Sequence, residues 1–305
     1  MYDLKISGGF VVDGTGAPGR IMDVGIVGDR IVAVGNLDES AREEIDAAGR
    51  IVAPGFVDIH THYDGQATWD QEMAPSAWHG VTTVVMGNCG VGFAPAAPER
   101  QDWLIGLMEG VEDIPGSALA EGMTWDWESF PDYLNALEKL DRTIDVAAQV
   151  PHGAVRAYVM GDRGAANEAP TDSDIARMAS IVEEGLAAGA VGFSTSRTIL
   201  HKSVEGELVP GTTATKEELL GIGDALKRAG HGVFELASDL HPDWDEFGWM
   251  GDLSRDTGAA VAFTALESPI KGLSFAQQLA EMRVQNDAGA QIVAQISMRG
   301  TGLIL

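Results

Sequence analysis

From residue 56 onward the chain alternates apolar runs of strand length with longer stretches of helical periodicity, an order that few folds accept. The runs are Phe56 to His60, Thr82 to Met86, Asp145 to Val150, Ala190 to Thr195, Val233 to Ala237, Ala260 to Ala265 and Gln291 to Ile296. Two intervening stretches carry full helix signals. Thr171 to Ala188 opens on Thr171-Asp172-Ser173-Asp174, a cap with an acidic first turn, and stops at Gly189; Thr215 to Ala229 has Thr215 and Glu218 at capping-box spacing and stops at Gly230. Strands this apolar belong to a parallel sheet buried on both faces. The fold class is therefore α/β, either a doubly wound sheet or a closed barrel.

Residues 1–54 have another texture. Short β-branched runs are separated by Gly8-Gly9, Asp13-Gly14 and Gly28-Asp29, which predicts a small antiparallel sheet. Ala53-Pro54-Gly55 stops pairing just before the first apolar run, so two domains are expected, 1–54 and 55–305. The longest connection, about 91–140, carries Trp103, Trp125, Trp127, Phe130 and Tyr133. It is too long for a plain loop and predicts a helical insertion over one end of the sheet.

Charge and cysteine content narrow the function. Asp and Glu number 46 against 20 Lys and Arg, a formal charge of −26, which opposes phosphate-backbone binding and excludes nucleic acid as a partner. No run reaches the roughly 18 apolar residues of a membrane span, and the opening Met1-Tyr2-Asp3-Leu4-Lys5 lacks the form of a signal peptide, so a cytoplasmic protein is expected. Cys89 is the sole cysteine and cannot form an internal disulfide. Its use is metal binding or reactivity, or it is a small buried hydrophobe.

The sharpest chemical feature is Val57-Asp58-Ile59-His60-Thr61-His62, an apolar strand ending in His-x-His. Strand residues two apart point the same way, so both imidazoles can grip one cation at the strand's C-terminal end. In parallel α/β folds that end is where active sites are built.

Ala53 to His62 resembles the entry to the first barrel strand of the amidohydrolase superfamily, and the opening, with Gly8 to Gly16 and Asp29 to Gly35, is similar to that superfamily's N-terminal β-sandwich. Gly80 to Gly90, Pro151 to Arg156 and Gly189 to Thr195 resemble the N-acyl-D-amino-acid deacylase branch, whose zinc site uses a cysteine after the second strand. The resemblance implies a metal-dependent-hydrolase TIM barrel. It also implies hydrolysis of C–N bonds other than peptide bonds, with an N-acyl-D-amino acid or a related small acyl amide as substrate. His60, His62 and Cys89 become the implied ligands of one or two zinc ions, a mixed N and S set that suits zinc.

The chain also departs from that pattern. The resemblance implies further histidine ligands after the fifth and sixth strands, yet Val233 to Asp239 and Val261 to Glu267 contain none; Ser238, Asp239 and Glu267 are the polar candidates there. His152, after the third strand, is a candidate substrate hydrogen-bonder or acid/base. Arg197, after the fourth, can pair with a substrate carboxylate, and His201 shares its loop. The general-base aspartate is expected beyond the C-terminus, because only seven of eight barrel strands fit before the apolar Gly302-Leu303-Ile304-Leu305, and the chain is expected to be truncated. Two alternatives stand beside the deacylase reading. One is a non-catalytic fragment or diverged barrel; the other is a hydantoinase-like cyclic-amide hydrolase, for which the fourth strand lacks the bridging lysine. A homo-oligomer is compatible with all three.

Overall fold

The computed structural model describes residues 1–266 and 272–297. The chain divides into two compact units, Met1–Phe56 and Val57–Leu305. In the first, β1 (Tyr2–Val11), β2 (Arg20–Val27), β3 (Arg30–Gly35), β4 (Ala41–Asp46) and β5 (Ile51–Val52) form one sheet in the order β3-β2-β1-β4, with β5 also on β1. The hairpins β1-β2 and β2-β3 are antiparallel, with Asp13-Gly14 and Gly28-Asp29 between the strands as predicted, whereas Gly8-Gly9 does not break the chain: it lies inside β1, where the register with β2 shifts between Ile6 and Gly9. The sheet is nevertheless mixed, because β4 and β5 both return to run parallel to β1. The sandwich expectation is thus represented by a single layer among the described residues.

In the second unit, β6 (Phe56–Asp58), β7 (Val81–Met86), β8 (Asp145–Pro151), β9 (Gly192–Arg197), β10 (Val233–Ser238), β11 (Ala260–Thr264) and β12 (Ile292–Gln295) lie side by side in chain order. From β7 to β12 every neighbouring pair is parallel. A doubly wound sheet reverses its strand order at a switch point, and this one does not. The order is that of a barrel wall. Six strand spacings would hold the edge strands about 29 Å apart in a flat sheet. Instead His60, two residues beyond β6, hydrogen-bonds Gln295 of β12 at 2.9 Å, so the sheet curls until its edges nearly meet.

Helices α1 (Gln101–Glu112), α2 (Gly116–Gly122) and α3 (Phe130–Glu138) occupy the expected insertion; α4 (His152–Met160), α5 (Asp162–Ala165), α6 (Asp172–Ala188), α7 (Lys216–Ala229), α8 (Glu246–Thr257) and α9 (Phe275–Asp287) follow. On α6 the capping box is complete, with Thr171 and Asp174 reciprocally bonded and Gly189 closing the helix in the left-handed conformation. On α7 only half forms. Thr215 accepts from the Glu218 backbone, but the Glu218 carboxylate turns inward to His152 and Arg156.

Strand alternation sorts the wall into two faces. Phe193, Phe234 and Phe263 are fully buried; Phe193 meets Phe234 at 5.1 Å between ring centroids, Phe234 meets Trp249 of α8 at 5.8 Å, and Phe263 meets Phe247 at 5.2 Å. Between them, on the opposite face, stand Ser194 and Glu235, directly paired in register. The insertion packs through its aromatics: Trp125 on Trp127, and Trp127 on Tyr133, with centroids 5.3 and 5.2 Å apart. Tyr133 anchors this group by donating its hydroxyl to the Asp64 carbonyl at 2.7 Å. No helix among the described residues is long and apolar enough to cross a membrane.

Candidate metal centre

The first strand ends at Asp58, so His60 and His62 lie in the segment just beyond it rather than on it. They still converge, with ring centroids 5.5 Å apart. His60 Nδ1 faces Gln295 Oε1 at 2.9 Å; an amide oxygen only accepts, so Nδ1 carries the hydrogen and Nε2 presents its lone pair. That nitrogen is 3.2 Å from Cys89 Sγ.

Cys89 is delivered by a hook after β7. Gly87, Cys89 and Gly90 have φ of 76, 55 and 70°, left-handed values that glycine adopts without strain and cysteine does not. A Cβ on Gly87 would lie 2.2 Å from the Gln149 carbonyl oxygen, so the backbone itself is wedged against β8. Buried Asn88 donates to the Thr61 and Val85 carbonyls at 3.1 and 2.9 Å and accepts from Gln149 at 2.7 Å. The Cys89 N–H donates to Glu235 Oε2 at 3.0 Å, and the Gly90 N–H to Ser194 Oγ at 3.0 Å. The glycines of this segment serve a tight turn against the wall, and the polar face of β8 to β10 is its template.

Ligand atoms of His60, His62 and Cys89 all lie within 4.8 Å of one another, and so do those of Cys89, Glu112 and His201. Glu112, the last residue of α1, approaches His62 Nε2 at 3.2 Å through Oε1. His201 Nδ1 is 3.0 Å from Ser196 Oγ.

The electrostatics describe a site short of positive charge. Burial, reinforced by His60 and His201, pushes His62 down to about 3. His201 falls to about 4 for the same main reason, with His60 adding and Asp239 opposing. Burial pushes Glu235 up to about 8 and both Asp64 and Glu112 up to about 7; each acid raises its neighbour further, Asp64 acting on Glu112 and Glu112 on Glu235. The Cys89 thiol is driven well above its ordinary value by burial and then by these carboxylates. With His62 neutral and Glu112 raised, their contact is a hydrogen bond rather than an ion pair. Among the described residues the acids have no Lys or Arg partner, only His62 for Glu112 and His60, at 3.9 Å, for Glu235. Among the described residues, His62 Nδ1, Asp64 Oδ2 and Glu235 Oε1 are buried without a hydrogen-bond partner. Orphaned donors and acceptors beside His60, His62 and Cys89 fit a divalent cation, whose charge reverses the pKa shifts that burial imposes.

The other expected site residues stand elsewhere. His152 is fully buried, with Nδ1 on Thr195 Oγ1 at 2.8 Å and Nε2 on Glu218 Oε1 at 3.1 Å, which leaves neither ring nitrogen for a substrate. Arg197 donates to Glu246 Oε1 at 2.8 Å and to the Ala214 carbonyl, and lies over the rings of Trp244 and Trp249. Asp239 holds the loop after β9, accepting from Thr198 Oγ1 at 2.5 Å and from the Ile199 N–H at 3.0 Å. Ser238 Oγ accepts from the Leu240 N–H, and Glu267 lies outside the described residues. Sequence reasoning missed Glu112, Glu235, Asp64 and Gln295. Of these only Glu235, a lone carboxylate between Phe234 and Leu236 in an apolar strand, carries a local signal.

A profile of the amidohydrolase family matches residues 43–292. The chain belongs to the amidohydrolase family. This amidohydrolase is 38% identical over 230 residues to the D-aminoacylase of Alcaligenes xylosoxydans xylosoxydans, an alignment covering 75% of this chain and 43% of that protein. A solved structure concerned with the binuclear metal centre of D-aminoacylase superposes with a TM-score of 0.79 at 32% identity, covering 97% of this chain and 58% of that one. The N-acyl-D-glutamate deacylase of Bordetella bronchiseptica, solved with zinc and a phosphonate mimic of the tetrahedral intermediate, superposes at 0.73 with 29% identity, covering 97% and 58%. The chain spans about half the length of these relatives.

Proposed function

We propose that this amidohydrolase chain forms the metal-holding part of a hydrolase of C–N bonds other than peptide bonds, acting on N-acyl-D-amino acids or related small acyl amides. The observation that carries the reading is the convergence of His60, His62 and Cys89 within 4.8 Å beside buried polar atoms that lack partners among the described residues. The 38% identity to a D-aminoacylase supports the substrate class and favours it over a cyclic amide or a scaffold without hydrolysis.

In this reading His60, His62 and Cys89 hold zinc. When bound, the ion supplies Lewis acidity that polarises the amide carbonyl and makes water acidic near neutral pH. The protein's own residues prepare the ligands. Gln295 keeps the hydrogen on His60 Nδ1, burial keeps His62 neutral, and Glu235 holds the backbone N–H of Cys89 so that the thiol projects from the hook. A reducing, cytoplasmic setting suits a protein whose one cysteine is a ligand.

The test is zinc content by mass spectrometry for the wild type, His60→Ala and His62→Ala, together with turnover of an N-acyl-D-amino-acid panel before chelation, after it and after zinc is returned. Stoichiometric zinc that both substitutions reduce, with turnover following the metal, supports the reading. Absence of stoichiometric zinc, or zinc content unchanged by both substitutions, overturns it.

A further inference from the structure

Three contacts fix the loop after β9 around His201. At its start Asp239 accepts from Thr198 Oγ1 at 2.5 Å and from the Ile199 N–H at 3.0 Å. On its return the Val209 N–H donates to the His201 carbonyl at 3.2 Å, and Lys202 bridges Leu208. Along its flank the loop docks on α1 through glycine. A Cβ on Gly110 would stand 2.4 Å from the Lys202 carbonyl oxygen and 2.5 Å from the Val204 nitrogen, and the Val204 N–H donates to the Gly106 carbonyl at 3.2 Å. This contact of two backbones sets His201 beside Glu112, the last residue of α1. A ring nitrogen of His201 lies within 4.8 Å of Cys89 Sγ and of a Glu112 carboxylate oxygen, so the ring reaches the edge of the His60, His62 and Cys89 set.

The hydrogen-bond count assigns the hydrogen of this ring. Nδ1 is 3.0 Å from Oγ of Ser196, a fully buried residue of β9. Among the described residues Nδ1 is the one partner of that hydroxyl. A hydrogen on Nδ1 would leave the serine O–H a buried donor without an acceptor, so the hydroxyl donates, Nδ1 accepts and Nε2 carries the hydrogen. The ring is uncharged at neutral pH, its pKa lowered to about 4, chiefly by burial. An Nε2 that carries hydrogen offers no lone pair to a cation. It is a donor, and among the described residues it has no acceptor.

We propose that His201 is a catalytic residue of this chain, its Nε2–H donating to the carbonyl oxygen of the scissile amide as that oxygen gains negative charge. The proposal rests on the reading of the site as an amide hydrolase. The hydrogen stays on Nε2 throughout, and the bond strengthens as water adds to the carbonyl carbon. A neutral imidazole is competent for this task. Ser196 is the positioning residue, since its hydroxyl fixes the tautomer, and the loop is held on three sides before a substrate arrives, so the donor needs no reorientation.

The test uses the whole chain loaded with zinc, read by turnover of the N-acyl-D-amino-acid panel, by zinc content and by nitrogen-15 NMR of the labelled histidines. In the wild type the His201 hydrogen is expected on Nε2, and Ser196→Ala is expected to release that preference. His201→Ala is expected to lower kcat about 10²- to 10³-fold, as loss of one oxyanion donor does, with KM within about threefold and zinc content unchanged. His201→Gln, which keeps an N–H donor, is expected to recover part of kcat. An N-phosphonyl-D-amino acid, which carries the tetrahedral oxyanion, is expected to bind His201→Ala more weakly by a factor close to the loss in kcat. A hydrogen on Nδ1 in the wild type, zinc lost together with the His201 side chain, or an unchanged kcat in His201→Ala overturns the proposal and leaves the proposed function standing. Where circular dichroism shows His201→Ala misfolded, the wild-type NMR spectrum and His201→Gln decide. A wild type without zinc or without turnover overturns both.

Discussion

His60 donates from Nδ1 to Gln295 Oε1 across 2.9 Å, joining residues beside opposite edges of a seven-stranded sheet. The contact does two things. It reports that the wall curls like a barrel, and it leaves His60 Nε2 aimed at Cys89 Sγ. Gln295→Leu keeps the volume and removes the acceptor, so His60 loses the partner that fixes its tautomer. Metal affinity is expected to fall about 10- to 100-fold, as losses of such supporting bonds do. Competition with a chromophoric chelator measures it, and an unchanged affinity would show that Gln295 has no part in holding the ligand.

Gly110 and Gly106 lie one turn apart on α1, and their substitutions should diverge. Alanine gains up to about 1 kcal/mol of helix propensity at either position. At Gly106 the new methyl meets only the Val204 side chain, at 3.3 Å, so stability should hold or rise. At Gly110 it meets the Lys202 backbone at 2.4 Å, and the forced shift should cost about 1 to 3 kcal/mol, more than propensity returns. Thermal melts of Gly106→Ala and Gly110→Ala decide this. Equal melting temperatures would remove the helix-loop docking from the account.

The buried group of His152, Arg156 and Glu218 is expected to govern stability rather than turnover. Arg156 Nε donates to Glu218 Oε1 at 2.7 Å, and all three residues are at most 1% exposed. Glu218→Gln leaves a buried guanidinium without its counter-charge, and about 3 to 5 kcal/mol should be lost. Burial alone would raise the Glu218 pKa, but the hydrogen bonds and charges of His152 and Arg156 hold it down to about 2. A carboxylate with a depressed folded-state pKa contributes stability above its unfolded value and loses it as pH falls. The wild type should therefore weaken from about pH 4.5 toward 2 more steeply than Glu218→Gln. Urea midpoints across that range check the sign; parallel curves would contradict it.

How far the fold could be read from the sequence follows from the range of each signal. The seven strands were legible because β-branched and apolar runs between glycines need no distant information. The half-formed cap of α7 was not, since the Glu218 spacing is local while its ion pair lies 62 residues away. The parallel return of β4 and β5 to β1 leaves no mark on the turns. In the site, His60, His62 and Cys89 stood out as scarce residue types at strand ends. Glu112 is one of 46 acids, and only the backbone docking at Gly110 sets it beside His201. Asp64 and Gln295 owe their positions to the aromatic insertion and to the curl of the wall, both products of tertiary packing.

The central claim is that Cys89, held in a left-handed hook against Glu235, is a metal ligand together with His60 and His62. The most direct measurement is the absorption spectrum of the Co2+-loaded chain beside that of Cys89→Ser. The account predicts a sulfur-to-cobalt charge-transfer band in the wild type that is absent from the serine variant while the protein remains folded. Cobalt bound stoichiometrically with no such band, or a band that survives Cys89→Ser, would contradict it.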